Sequence, residues 1–111
     1  MKMCIRDRLS GGKAGPHGLQ GIGANFIPAV LDRKLLDQVI AVEEADAYAA
    51  GRMLTRRYGL LAGITSGAAL HAALSMARDV HCTSKCIVAL LPDTGMRYLS
   101  TPMFAQDAIK E

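Results

Sequence analysis

Two short, almost continuously apolar segments constrain the fold of this chain more than any other feature. Residues 38–42 (QVIAV) and residues 85–93 (KCIVALLPD) are rich in β-branched side chains and lack the periodicity of an amphipathic helix. Such segments are typical of strands in a parallel sheet, which helices cover on both faces. We therefore predict an α/β fold with a partial parallel sheet flanked by helices. Because two strands cannot form such a sheet alone, we expect one flank of a larger domain.

A first helix is predicted at residues 43–58, between these two segments. Acidic residues stand in its first turn and arginines near its end, as the helix dipole favours. Gly59 is suited to the left-handed conformation that ends many helices. The spacing predicts one apolar face made of Ala47, Ala50, Gly51, Leu54 and Tyr58.

A second helix is predicted at residues 67–78, with Ser66 or Thr65 as its N-terminal cap. We expect this helix to be buried except for one narrow polar stripe, formed by His71, Ser75 and Arg78.

The glycines and hydroxyls before this helix allow two interpretations. The segment GITSG, residues 63–67, would place backbone N–H groups and hydroxyls where they could contact an anion or a cofactor atom. Simple capping explains the same residues equally well on composition alone. Residues 21–23 (GIG) suggest a dinucleotide-binding loop, but they do not follow a strand, and Phe26 stands where the third glycine is required. Asp93, at the end of the second predicted strand, is either a functional residue or a turn residue, and we favour the turn.

Charge, cysteine content and hydropathy exclude several classes of function. The net charge of +3 comes from scattered basic residues, so nucleic-acid binding is not expected. No apolar run is long enough for a membrane span. Three cysteines in an α/β chain indicate reduced thiols and a cytoplasmic protein. The spacing of His81, Cys82 and Cys86 matches no common zinc pattern, so no metal site is predicted.

The first eight residues, MKMCIRDR, fit no structural element. Residues 3–8 can be back-translated into the end sequence used in transposase-based sequencing libraries. We interpret residues 1–8 as a non-native scar and residues 9–111 as the protein proper, whose gene we expect to extend upstream. A natural polar tail is the alternative.

Three segments together resemble a known enzyme family. In order, they are LSGGKAGPHGLQGIGANFIPAVLD, GLLAGITSGAAL and IVALLPDTGMRYLST. They are similar to the C-terminal third of cysteine synthase (O-acetylserine sulfhydrylase), a pyridoxal 5'-phosphate enzyme of fold type II, which is tryptophan synthase β-like. The resemblance covers residues 9–104. It implies that residues 9–111 are the C-terminal portion of the large pyridoxal-phosphate domain, in an enzyme that makes L-cysteine from O-acetyl-L-serine and sulfide by β-replacement.

The resemblance implies roles for individual residues. In the family motif Gly-Ile-Ser-Ser-Gly, the second serine binds the pyridine nitrogen of the cofactor, and that position is Ser66 here. Thr65 replaces the first serine and keeps its hydroxyl, and Gly63 begins the motif. Pro92 and Asp93 resemble the segment that runs beside the ring. The loop near the substrate corresponds to Gly21, Ile22, Gly23 and Ala24, although Gly18 and Asn25 beside it depart from the family's usual residues.

The family's Schiff-base lysine and its phosphate and carboxylate loops belong to the N-terminal part of the full enzyme. Lys13, Lys34, Lys85 and Lys110 lie in other contexts, so we expect no catalytic residue in this chain and no activity from the chain alone. The resemblance also implies a homodimer in the full-length enzyme and serine acetyltransferase as a partner. The alternatives are a related β-replacement enzyme (cystathionine β-synthase or phosphoserine sulfhydrylase) and a non-catalytic α/β binding module.

Overall fold

Two long helices form the centre of the structure, a computed structural model that describes residues 27–82 and 84–105. Helix α1 spans Glu44–Tyr58, helix α2 spans Ile64–Ala77, and a short helix α3 spans Pro102–Ala105. Short 3-10 helices are found at Arg33–Leu35, Val80–Cys82 and Gly95–Tyr98. The two sequence regions interpreted as scar and substrate loop, residues 1–8 and 21–24, lie outside the described residues.

Helix α1 confirms the first predicted helix almost residue for residue. Gly59 follows it with a φ of 69° and donates its N–H to the Thr55 carbonyl at 3.0 Å, so its predicted role as left-handed cap is also confirmed. The predicted apolar face is buried except for its last member, because Tyr58 is 61% exposed. Tyr58 is the final residue of the helix, and its ring lies 5.9 Å from the Arg57 guanidinium carbon.

Close contact between α1 and α2 depends on glycine. A Cβ atom at Gly67 would lie 2.1 Å from the backbone oxygen of Ala47, so only glycine lets the two helices approach this closely. The core around this crossing also includes residues from the end of the described chain, such as Tyr98 and Met103. Arg52 of α1 donates to the backbone oxygen of Met103 at 3.0 Å and fixes α3 against α1.

Helix α2 differs from the prediction at both ends. It begins three residues earlier than expected, at Ile64, and its N-cap residue is Gly63, which has no side chain that could cap the helix. The prediction of a Ser66 or Thr65 cap is therefore wrong. The helix is also less buried than expected, because its last turn is exposed beyond the polar stripe, at Leu74 and Met76.

The predicted parallel sheet does not form among the described residues. Residues 38–42 and 85–93 carry no strand assignment, and β pairing in the described chain is limited to one isolated antiparallel bridge between Ala62 and Thr94. A strand is stable only when a neighbour pairs with its backbone, and the two segments do not pair with each other. The partial sheet therefore stays a prediction. Within the described residues, no helix combines the length and apolar character needed to cross a membrane.

Candidate functional site

The candidate site lies at the first turn of α2, where the segment around Asp93 crosses it. The backbone brings the two together through two hydrogen bonds that flank the Ala62–Thr94 bridge. Gly63 donates its N–H to the Asp93 carbonyl at 3.3 Å, and Gly95 donates to the Leu61 carbonyl at 3.0 Å. These bonds place the Asp93 side chain directly before the helix.

The carboxylate of Asp93 caps helix α2 from 27 residues away in the sequence. One of its oxygens, Oδ1, accepts the Ser66 N–H at 2.9 Å, and the other, Oδ2, accepts the Thr65 N–H at 3.2 Å. Both N–H groups belong to the first turn, where no partner exists inside the helix. Asp93 is therefore a capping residue for a distant helix, not the simple turn residue that the sequence predicted.

Ser66 is completely enclosed by this arrangement. Its side chain is 0% exposed, and its hydroxyl donates to Oδ1 of Asp93. The same hydroxyl oxygen accepts the Asp93 N–H at 3.3 Å and lies 3.1 Å from the Asp93 carbonyl oxygen. The hydroxyl has a single proton to donate, and the Asp93 oxygens take it. Ser66 therefore has no donor left for a ligand.

Several hydrogen-bond donors stabilise the ionised carboxylate of Asp93. Burial raises the pKa of Asp93, but hydrogen bonds from the Ser66 hydroxyl, the N–H groups of Ser66 and Thr65, and the Tyr98 hydroxyl outweigh this effect and leave the pKa below its ordinary value. Burial, together with the negative charge of Asp93, raises the pKa of Tyr98. The site is thus a carboxylate surrounded by donors at neutral pH.

Gly63 is required by the same packing. A Cβ atom there would lie 2.2 Å from Oδ2 of Asp93 and 2.5 Å from a ring carbon of Tyr98. The space beside this glycine is therefore filled by the chain's own side chains. Asp93 and Tyr98 together explain why glycine precedes the helix.

The structure brings together four of the site residues named from the sequence: Gly63, Thr65, Ser66 and Asp93. Pro92 is adjacent to Asp93 and exposed. Thr65 differs from Ser66 in burial, since its side chain is only partly buried. Tyr98 was not predicted as a site residue, although it lies five residues after Asp93, in one of the three segments that resemble the enzyme family.

Comparison with known proteins finds relatives by sequence and by structure, but not by family model. No family model matches the chain. It is 54% identical over 93 residues to cysteine synthase A of Escherichia coli, a match that covers 84% of this chain and 29% of that protein. It is 46% identical over 99 residues to a cysteine synthase of Staphylococcus aureus, covering 89% of this chain and 32% of that one. The chain thus spans about a third of the length of these curated relatives.

Solved structures agree with these sequence matches. The chain superposes on a cysteine synthase from Entamoeba histolytica with a TM-score of 0.84 and 37% identity, over 98% of this chain and 32% of that one. An O-acetylserine-dependent cystathionine β-synthase from Helicobacter pylori gives a TM-score of 0.72 and 33% identity, over 86% of this chain and 31% of that one.

Proposed function

We propose that this chain, whose resemblance to cysteine synthases the comparisons confirm, is the C-terminal portion of the pyridoxal-phosphate domain of such an enzyme. The complete enzyme would make L-cysteine from O-acetyl-L-serine and sulfide by β-replacement. The observation that carries this proposal is the 54% identity to the E. coli enzyme across 84% of the chain. We place the protein in the cytoplasm, and we expect the complete enzyme to be a homodimer with serine acetyltransferase as a partner.

When bound, pyridoxal phosphate would supply the electron sink that eases loss of acetate from the substrate and addition of sulfide. The chain's own contribution would be a neutral hydroxyl beside the ring nitrogen, at the start of α2. A neutral hydroxyl does not stabilise the protonated form of that nitrogen as strongly as a carboxylate would. The ring would therefore withdraw electrons only moderately, which suits elimination chemistry.

Burial distinguishes the two candidate hydroxyls. Ser66, the residue that the family motif suggests, is 0% exposed, and its hydroxyl already donates a hydrogen bond to Asp93. Contact between Ser66 and a ring nitrogen would require Asp93 to move. Thr65 is partly exposed in the same helical turn, so its residue type and position fit the ring nitrogen without such a movement. We therefore propose Thr65 as the contact, with Ser66 and Asp93 fixing the backbone beneath it.

We also propose roles for Pro92 and for residues 21–24. Pro92, exposed beside Asp93, would run along the ring, and residues 21–24 would form the wall next to the amino-acid substrate. No catalytic residue is assigned in this chain. We expect that no lysine of the chain alone forms a covalent bond with pyridoxal phosphate. Borohydride reduction, which would make such a bond permanent, followed by mass spectrometry would test this.

A hybrid enzyme tests the proposed function directly. Residues 9–111 of this chain would replace the matched third of E. coli cysteine synthase A, and cysteine formation from O-acetylserine and sulfide would be measured. We expect an active hybrid. Thr65→Val, which removes the hydroxyl and keeps the shape, should shift the cofactor absorbance and lower the rate about tenfold, the value of one good hydrogen bond. Thr65→Ser, the matched control, should retain both.

Two results would contradict the proposal. A folded hybrid that binds pyridoxal phosphate but makes no cysteine would contradict the assigned reaction. A Thr65→Val variant with unchanged absorbance and rate would contradict the role of Thr65. In that case Ser66→Ala would show whether the enclosed hydroxyl acts instead.

A related β-replacement reaction is the second candidate. The similarity to the H. pylori O-acetylserine-dependent cystathionine β-synthase favours it. Supplying homocysteine in place of sulfide, and O-phosphoserine in place of O-acetylserine, would separate these reactions in the hybrid. Faster turnover of either replacement substrate would select the second candidate.

A further inference from the structure

Two free cysteines lie close together in the sequence after the end of helix α2. Cys82 is partly buried at the end of the 3-10 helix Val80–Cys82, and Cys86 is exposed. They are the two cysteines in the described part of the chain. An accessible thiol with a second thiol close by is typical of cysteines that oxidise reversibly to a disulfide.

Two successive backbone hydrogen bonds bring the two cysteines nearer to each other. Cys82 donates its N–H to the Asp79 carbonyl at 2.9 Å, and Lys85 donates its N–H to the Cys82 carbonyl at 3.0 Å. A bond of the second kind keeps the two Cα atoms concerned within about 7 Å. Since Cys86 directly follows Lys85, its Cα lies within about 11 Å of that of Cys82, whereas an extended chain would separate them by about 13 Å.

The backbone of Cys86 can move within this limit, whereas that of Cys82 is held. A disulfide requires a Cα separation of about 4.4–6.8 Å, which lies inside the limit. In the described part of the chain, no backbone hydrogen bond joins residues 86–92 to another segment, so Cys86 is able to approach. Cys82 is fixed by its two hydrogen bonds. The pair therefore has one anchored member and one movable, accessible member.

We propose that Cys82 and Cys86 form a reversible disulfide, with a small-molecule disulfide of the glutathione type as the oxidant. The Cys86 thiolate attacks one sulfur of the oxidant, whose S–S bond breaks and releases one thiolate. The Cys82 sulfur, after giving its proton to solvent, attacks the Cys86 sulfur of the mixed disulfide and releases the second thiolate. Two protein thiols are thereby oxidised, and one small-molecule disulfide is reduced to two thiols.

The disulfide would constrain the connection between the two ends of helix α2. The chain leaves the C-terminal end of α2 and returns to its first turn, where Asp93 accepts the Ser66 N–H at 2.9 Å. A bond between Cys82 and Cys86 shortens the free part of this connection. In a reducing compartment the thiol form is the resting state, and disulfides there are usually transient. The proposal concerns thiol chemistry alone and does not depend on the reaction proposed above.

Trypsin provides the test, because it cleaves after Lys85, between the two cysteines. The folded chain is equilibrated with a fixed ratio of glutathione disulfide to reduced glutathione, and the remaining thiols are alkylated. The digest is then analysed by mass spectrometry without reduction. We expect the peptides of residues 79–85 and 86–97 to be joined by a disulfide and to separate after reduction.

Variants and urea distinguish this pair from unspecific oxidation. Cys82→Ser and Cys86→Ser should each abolish the joined peptides, whereas Cys4→Ser, the matched control, should retain them. At the same glutathione ratio, the joined form should be at least about tenfold more abundant relative to the reduced form in the folded chain than in urea, which equals about 30 mV in reduction potential.

Several results would overturn the proposal. The folded chain could yield only alkylated cysteines, only mixed disulfides with glutathione, or a disulfide that includes Cys4. Equal proportions of the joined form in buffer and in urea would show that the fold contributes nothing. None of these results bears on cysteine formation by the hybrid enzyme, so failure of this proposal is distinguishable from failure of the proposed function.

Discussion

Replacing Asp93 by Asn tests the most connected residue of the site. The carboxylate accepts two backbone N–H groups from the first turn of α2 and the hydroxyls of Ser66 and Tyr98. Asparagine has the same shape but only one acceptor oxygen, and its amide group would point two protons at groups that are themselves donors. The variant should therefore loosen the start of α2 while leaving α1 intact.

The expected loss follows from the bonds removed. Each hydrogen bond to a charged group contributes roughly 1.5–3 kcal/mol, and Asn should lose at least one such bond and weaken the others. Asp93 is partly exposed, so screening by water reduces these values. We expect the free energy of unfolding to fall by about 2 kcal/mol, a large part of the roughly 5–15 kcal/mol typical of a domain.

The loss should depend on pH with a defined sign. Because the pKa of Asp93 is lower in the folded chain than in the unfolded chain, its charge stabilises the fold fully above about pH 4 and progressively less as the pH falls below that value. The unmodified chain should therefore lose stability between neutral and acidic pH. Asp93→Asn should show a smaller loss over the same range, since residue 93 no longer titrates.

Urea unfolding followed by circular dichroism, at neutral pH and near pH 3, measures both effects. Asp32→Asn is the control, because Asp32 also accepts a backbone N–H, from Lys34 at 3.0 Å, but at an exposed position far from α2 in sequence. We expect the control to cost less than about 0.5 kcal/mol, because asparagine and aspartate cap a helix about equally well. Equal losses for the two variants, or an unchanged pH dependence in Asp93→Asn, would refute the capping role.

Three further substitutions test the packing and electrostatics. Gly67→Ala should cost about 2 kcal/mol in urea unfolding, because the new Cβ would lie 2.1 Å from the Ala47 carbonyl oxygen and the helices would have to separate. Gly59→Ala should cost about 1 kcal/mol, since open space surrounds the position and only its φ of 69° is unfavourable for alanine. A larger loss of stability than that of Gly67→Ala would contradict this reasoning. Tyr98→Phe removes a donor to Asp93 and should raise the pKa of that carboxyl, so acid unfolding should begin at a higher pH, and an unchanged midpoint would argue against the contact.

The candidate site was only partly predictable from sequence. The motif named Thr65 and Ser66, which lie in the helical turn that Asp93 contacts, and Asp93 was named as a separate candidate. The sequence did not indicate that Asp93 binds this turn, because the two lie 27 residues apart. The difference in burial between Thr65 and Ser66 was equally hidden, since adjacent hydroxyls in a sequence carry no sign of which one faces inward.

Local features were determined by the sequence by itself. Helix α1 and its Gly59 cap follow from side-chain periodicity, terminal charges and the freedom of glycine, all of which act within a few residues. The tertiary structure alone decided the features that need distant partners. It replaced the expected Ser66 or Thr65 cap by Asp93, because a chain crossing brought a carboxylate to the helix end. Among the described residues it also gave no strand assignment to residues 38–42 and 85–93, because strands require neighbouring backbone that no local pattern can supply.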